Sequence, residues 1–297
     1  MTLLLGTAVP ETGVMGTPAS RAGSTARPSR PRLIASDVDG TILSPGGVVS
    51  ARTRAAFRRA REAGTEVVFV TGRPIRWLGP LEEQLDHAGT VICSNGAVVW
   101  DMARREVVAA EAFRLEQALR LQEIIRALHP EAGFSSELVT GPHREPAFLR
   151  LHPGLPVEDQ VVGPLSETLA PNAAVVKLLA ISPALSAEEF HALVEPAVQG
   201  LAHVTYSDVT RLPLLELAVP GVTKARTLEK HAASLGIGAS EVIAFGDMPN
   251  DLEMLSWAGE GYAMADGHPE ALAAARFRAP ACADDGVAQV LETVLAR

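Results

Sequence analysis

The chain predicts an open α/β fold: a mostly parallel sheet with helices on both faces, interrupted by an inserted α+β domain. Three observations predict it. Short apolar runs alternate with helical patterns in an N-terminal block and again in a C-terminal block. Those runs are rich in Val, Ile and Phe with little polar alternation, as strands buried on both faces are. Between the two blocks the texture changes to hairpin-like and mixed segments.

In the first block, Arg32–Val38 reads as a strand ending in acids. Ser50 is placed to cap a helix through Glu62, with Gly64 as its stop. Thr65–Val70 is a second strand, and Pro74 suits the first turn of a helix to about His87. Val91–Cys93 is a third strand. In the middle, Val98–Trp100 and Glu106–Ala110 read as a hairpin. Helices are predicted at Leu115–Leu128, Val157–Leu169 and Ala187–Val198, with strands at Phe148–Leu151, Val175–Ile181 and His203–Tyr206. The last block reads as helix Val222–Leu235, strand Val242–Phe245, helix Asn250–Trp257, strands Tyr262–Met264 and Phe277–Ala279, and helix Val287–Leu295. The expected division is a leader over 1–32, a split core of 33–95 and 213–297, and an insert of 96–212.

The leader holds four Pro, four Gly and four Arg against one Glu. It cannot bury enough apolar surface to offset the entropy of ordering it, so disorder is expected.

Composition excludes several classes. The chain has 297 residues, 47% hydrophobic and 21% charged, with a net charge of −9. A nucleic-acid binder usually carries the opposite sign. No apolar run approaches the roughly 18 residues of a membrane span. Two cysteines rule out a disulfide framework, which suggests a reducing, cytoplasmic setting. The histidines show no zinc spacing.

The chemistry-bearing residues cluster at predicted strand ends, where open α/β folds bind ligands. Asp37-Val38-Asp39-Gly40-Thr41 closes the first strand. In extended backbone residues i and i+2 point the same way, so Asp37 and Asp39 are expected to project together. Thr71-Gly72-Arg73 follows the second strand and offers a hydroxyl, a glycine amide and a guanidinium, the parts of a phosphate cradle. An ordinary turn is the bland alternative. Lys224, one of three lysines, opens a helix after Pro220-Gly221 and suits neutralising a phosphate or simple solvation. Gly246-Asp247-Met248-Pro249-Asn250-Asp251 supplies two more carboxylates and an amide. Asn250 or Asp251 could equally be a helix cap. Four acids on one edge would require a hard divalent ion, and oxygen ligands point to Mg²⁺.

Taken in order, DVDGT, VTGR, GVTK and GDMPND resemble the four motifs of the haloacid dehalogenase (HAD) superfamily of aspartate-nucleophile phosphohydrolases. Ser94-Asn95-Gly96-Ala97 is similar to the entry into the large cap of its Cof-type branch (subclass IIB). The likeness covers residues 33–297 and implies a Rossmann-like core with an inserted cap. It implies that Asp37 attacks phosphorus and forms an aspartyl phosphate, while Asp39 acts as acid and then base. Mg²⁺ would be held by Asp37, the backbone carbonyl of Asp39 and Asp247, with Asp251 as a fourth ligand or support. Thr71, Lys224 and Asn250 would hold the phosphoryl group, and Arg73 and Asn95 would face the substrate or the cap. The implied activity is hydrolysis of a small phosphorylated metabolite by a monomer or homodimer, with no nucleic-acid or membrane partner. A phosphomutase using the same aspartyl phosphate, or a non-catalytic binding protein, are the alternatives.

Other features read as structure. Arg52, Arg54, Arg58, Arg59 and Arg61 form a solvated helix face, and Cys93 reads as a buried thiol. Trp77 and Trp257 read as packing residues, and His143 and Arg144 as part of a surface loop.

Overall fold

The computed structural model describes residues 30–152, 160–206 and 213–296. Most of the expected leader, the start of the helix expected at Val157, and the expected junction at 212 lie outside these residues. The first block contains β1 (Leu33–Ser36), α1 (Ala51–Glu62), β2 (Glu66–Val70), α2 (Gly79–Gln84), β3 (Thr90–Cys93), β4 (Val98–Asp101) and β5 (Glu106–Ala110). There follow β6 (Phe113–Arg114), α3 (Leu115–Leu128), β7 (Gly133–Leu138), β8 (Gly141–Arg144), α4 (Pro146–Leu151), β9 (Val161–Val162), α5 (Leu165–Thr168), β10 (Ala174–Val175), β11 (Lys177–Ile181), α6 (Ala187–Val194), β12 (His203–Thr205) and β13 (Leu214–Ala218). The last block is α7 (Lys224–Ser234), β14 (Val242–Gly246), α8 (Leu252–Trp257), β15 (Glu260–Met264), α9 (Pro269–Ala274), β16 (Phe277–Ala279) and α10 (Gly286–Leu295).

The core is an eight-stranded sheet in the order β16-β15-β14-β1-β2-β3-β4-β5. Its first six strands are parallel and the β4–β5 hairpin is antiparallel. Alternate residues of each strand feed opposite faces, as the pleat requires. Ile34, Phe69 and Phe245 pack with Phe57 of α1 and Leu291 of α10 on one face. Leu33, Ala35, Val68 and Ala244 pack with Leu228 of α7 and Met254 of α8 on the other. Ser50 caps α1 as expected, its Oγ accepting from the Thr53 amide at 3.0 Å.

The insert has its own core, with Leu121, Ile125, Phe134, Leu178, Phe190 and Leu217 packed together. Its six-stranded sheet runs β12-β13-β11-β7-β8-β9. Strand pairing moves both expected junctions. The β4–β5 hairpin extends the core sheet through Cys93↔Val98, because an antiparallel neighbour needs only a tight turn. β13, beyond the expected insert boundary, pairs with β11 inside the insert.

Several local expectations differ from the structure. Phe148–Leu151, expected as a strand, lies in helix α4, which starts on Pro146; four apolar residues do not distinguish the two periods. The segment expected as a helix over 157–169 contains β9 and the single turn α5. Pro74 precedes a single turn at Ile75–Trp77 rather than a long helix, and α2 covers only six residues. Among the described residues no helix is long and apolar enough to cross a membrane.

Candidate active site

Parallel pairing brings the C-terminal ends of β1, β2, β3 and β14 to one edge, where the chain turns away and leaves Asp37, Thr71, Asn95 and Asp247 as neighbours. Asp37 is still tied to the sheet, its amide donating to the Phe245 carbonyl at 2.9 Å. From the first turn of α7, the buried Lys224 donates to Asp37 Oδ1 at 2.6 Å and to Asp251 Oδ1 at 2.8 Å. The other Asp251 oxygen accepts from the amides of Asp247 and Met248, each at 3.0 Å. Thr41 Oγ1 donates to Asp247 Oδ1 at 2.8 Å. One carboxylate oxygen from each of Asp37, Asp247 and Asp251 lies within 4.8 Å of the others.

Two glycines make room for this packing. A Cβ on Gly246 would sit 2.6 Å from the Asp251 Cβ. Gly40 combines φ +80° with a Cβ position pressed against the Asp247 carboxylate.

Three carboxylates against one ammonium leave this buried cluster with a formal charge of −2. The strain shows in protonation. Burial, then the nearby Asp251 and Asp247 carboxylates, push Asp37 well above the ordinary carboxylate range, although Lys224 pulls the other way. Asp247 is pushed up to about 6 by burial and by Asp251. For Lys224 burial disfavours the charge, but Asp251 and Asp37 outweigh it and hold the ammonium above its usual value. A divalent cation with a preference for oxygen ligands fits both the donor set and the missing charge.

Asp39 departs from expectation. β1 ends at Ser36, so the extended-strand rule that would aim Asp37 and Asp39 together does not reach the second acid. Its side chain is 55% exposed and gripped by Arg73, with Nε–Oδ2 at 2.8 Å and a terminal nitrogen to Oδ1 at 2.5 Å. The expected four-acid cluster is therefore a three-acid cluster, and the Asp39 side chain is not part of it. Neither Asn250 nor Asp251 caps α8 with its side chain; Asp251 instead reaches back to the preceding loop.

The remaining predicted residues do meet. Thr71 is buried, and its hydroxyl accepts from the Arg73 amide at 3.1 Å. Asn95 donates through Nδ2 to Glu216 Oε2 and accepts from Asn250 Nδ2 at 3.3 Å. Asn250 Oδ1 is buried without a protein partner. Asp37, Asp39, Thr71, Arg73, Lys224 and Asn250 all line one open cleft of about 1030 Å³.

The insert contributes residues that the sequence reading passed over. Glu216 of β13 lines the same cleft. Lys177 of β11 bonds Glu216 at 2.9 Å, and Arg76 forms a bidentate pair with Glu137 of β7 at 2.9 and 2.7 Å. A lone charge inside an apolar strand, as in LLELA and KLLAI, is the signal that was available. Trp77, expected as packing, is 41% exposed at the cleft mouth, stacked by the Arg76 guanidinium 4.5 Å from its ring. His143 and Arg144 lie in β8 rather than a loop, with Arg144 buried. Cys93 is a buried thiol, its pKa raised by burial. The arginines of α1 include Arg52 and Arg59, which pair with Glu292, and Arg58, which pairs with Asp86.

Comparison with known proteins agrees with this geometry. The profile of the haloacid dehalogenase-like hydrolases matches residues 34–291. The chain is 28% identical over 269 residues to pyridoxal phosphate phosphatase YbhA of Escherichia coli (strain K12), covering 88% of this chain and 97% of the relative. It is 27% identical over 248 residues to HMP-PP phosphatase of Cronobacter sakazakii, covering 82% and 87%. In structure it resembles BT1666 of Bacteroides thetaiotaomicron, described among phosphatases of the HAD superfamily. That likeness has a TM-score of 0.77 at 22% identity, covers 93% of this chain and 99% of the other, and speaks to the fold alone. A buried triad of acids with its lysine, set at the edge of a parallel sheet beneath an inserted α+β domain, and a profile match across nearly all the described residues place the chain in the haloacid dehalogenase-like hydrolases, as a phosphatase of the Cof-type branch.

Proposed function

We propose that the chain is a Mg²⁺-dependent phosphatase that hydrolyses a small phosphorylated metabolite through an aspartyl phosphate on Asp37. The observation that carries this reading is the buried cluster of Asp37, Asp247, Asp251 and Lys224, of which Asp37, Asp247 and Lys224 line an open cleft while Asp251 lies behind them. A bound Mg²⁺, with Asp37, Asp247 and Asp251 as its side-chain ligand set and the Asp39 carbonyl as a further candidate, would neutralise charge on the transferring phosphoryl group.

The chain's own residues do the rest. Lys224 fixes the Asp37 carboxylate and supplies positive charge beside it. Asp37 attacks phosphorus, a P–O bond to the carboxylate forms, and the bond to the leaving oxygen breaks. Asp39, at the cleft mouth, gives that oxygen its proton. Water then attacks the aspartyl phosphate, Asp39 takes a proton from it, and inorganic phosphate leaves as Asp37 is regenerated. Acid–base help of this kind is worth about 10²–10⁴-fold. Arg73 holds Asp39 in the free protein, and an arriving phosphate is an alternative bidentate partner for its guanidinium. Thr71 and Asn250 complete the phosphoryl cradle, where charge stabilisation dominates.

Relatives named for pyridoxal phosphate and HMP-PP make those two compounds the first substrates to test. The test is a phosphomonoester panel with Mg²⁺, with and without EDTA, on wild type and Asp37→Asn. Phosphate release without an added acceptor, lost in EDTA and in the variant, is the expected outcome. Activity in Asp37→Asn within about tenfold of wild type removes the nucleophile from the scheme.

A further inference from the structure

One buried ion pair of the insert reaches two loops of the core at once. Lys177 and Glu216 have side chains 5% and 11% exposed and lie on neighbouring antiparallel strands, β11 and β13. Lys177 Nζ donates to the Gly72 carbonyl at 2.8 Å, in the loop after β2. Glu216 Oε2 accepts from Asn95 Nδ2, in the loop after β3. Ser94 and Asn95 both have left-handed backbone, at φ +51° and +56°, a conformation that persists only where surroundings enforce it.

The donor and acceptor types set an order of orientation. A carboxylate only accepts, so the Asn95 amine must face Glu216. The Asn95 oxygen therefore points the other way and accepts from Asn250 Nδ2 at 3.3 Å. One hydrogen of the Asn250 amine is so engaged and the other remains for a phosphoryl oxygen, while Asn250 Oδ1 is buried without a protein partner. The two amides thus form a relay from the insert's ion pair to the site expected to hold the phosphoryl group.

We propose that Glu216 is a positioning residue for that site, and that Lys177–Glu216 sets the orientation of Asn95 and, through it, Asn250. The phosphate site is then complete only while the insert is docked on the core. This inference rests on the phosphatase reading.

The side chain of Glu216→Gln keeps its shape but has a single acceptor oxygen, which the Lys177 ammonium claims. Asn95 then faces an amine and turns over. Expected results are inorganic phosphate binding weakened by about tenfold or more in the presence of Mg²⁺, measured by calorimetry, and a lower kcat. A residue that only contacts the leaving group, or only holds the insert, would leave the affinity for bare phosphate unchanged. Lys177→Met combined with Glu216→Gln frees the acceptor for Asn95, so this double variant is expected to recover most of the affinity lost in the single one.

Lys177→Met with Glu216→Leu packs without a charge but offers no acceptor, and is expected to stay weak. These two uncharged double variants decide the matter even if the single variant does not fold. Equal phosphate affinity in wild type and Glu216→Gln, or in the two double variants, overturns the proposal. Wild type that binds neither phosphate nor any ester overturns the phosphatase reading and this inference with it.

Discussion

On the core side of the cleft, Asp37, Asp247, Asp251 and Lys224 are buried and bonded largely to one another. On the insert side, Lys177, Glu216 and Glu137 come from three different strands, and each finds a partner on the core. The floor is self-sufficient and the roof is not. A chemical step common to many esters calls for a fixed floor, whereas choice among leaving groups calls for a wall that docks and can vary.

Removing one buried and one exposed charge from the core tests how far the floor depends on its burial. Lys224→Met leaves three buried carboxylates without their ammonium. It is expected to lose at least as much activity as any other substitution outside Asp37, and to destabilise the metal-free fold by about 3–5 kcal/mol, read in thermal melts. Asp39→Asn touches an exposed acid. Turnover is expected to fall by about 10²–10⁴-fold with an unchanged melting midpoint. A midpoint that falls as far as in Lys224→Met would erase the distinction between the buried cluster and the exposed acid.

A third test uses acidity. Asp247 sits at about 6 in the metal-free protein, above its ordinary value of 3.8. A raised carboxyl adds stability that is fully present below pH 3.8 and lost as pH rises through about 6. A divalent ion takes the place of that proton. The gain in thermal stability on adding Mg²⁺ is expected to be larger near pH 7.5 than near pH 5, by about 1–3 kcal/mol. Equal gains at both values would uncouple Asp247 from the metal.

Trp77→Ala, at the mouth, is expected to have the smallest effect. KM for aromatic esters should rise by less than about tenfold, with kcat and the melting midpoint preserved. A large fall in kcat would bring Trp77 into the floor's machinery.

How far the sequence could be read follows the same division. The floor acids sit in short stretches after strand ends and Lys224 opens a helix, so their places followed from local pattern and parallel pairing. Asp39 was misplaced because its direction depends on where β1 stops, which burial of the two preceding residues does not reveal. Glu216 and Lys177 carry no motif. Their meaning comes from partners more than 100 positions away, a relation that neither period nor spacing encodes. The β7–β8 hairpin was missed because GFSSEL buries polar Ser135 and Ser136 inside the insert. α9 escaped notice because its six residues are too few for a 3.6-residue period to repeat.

The position of β1 has a consequence for biosynthesis. This strand is flanked by β2, made soon after it, and by β14, made more than 200 residues later. While the ribosome is still translating the insert, β1 has one edge of backbone N–H and C=O groups unpaired, and Asp37 has neither its lysine nor its companion acids. Nascent chains are therefore expected to depend on holding chaperones until residue 242 has cleared the exit tunnel, and the catalytic constellation is among the last things the polypeptide acquires.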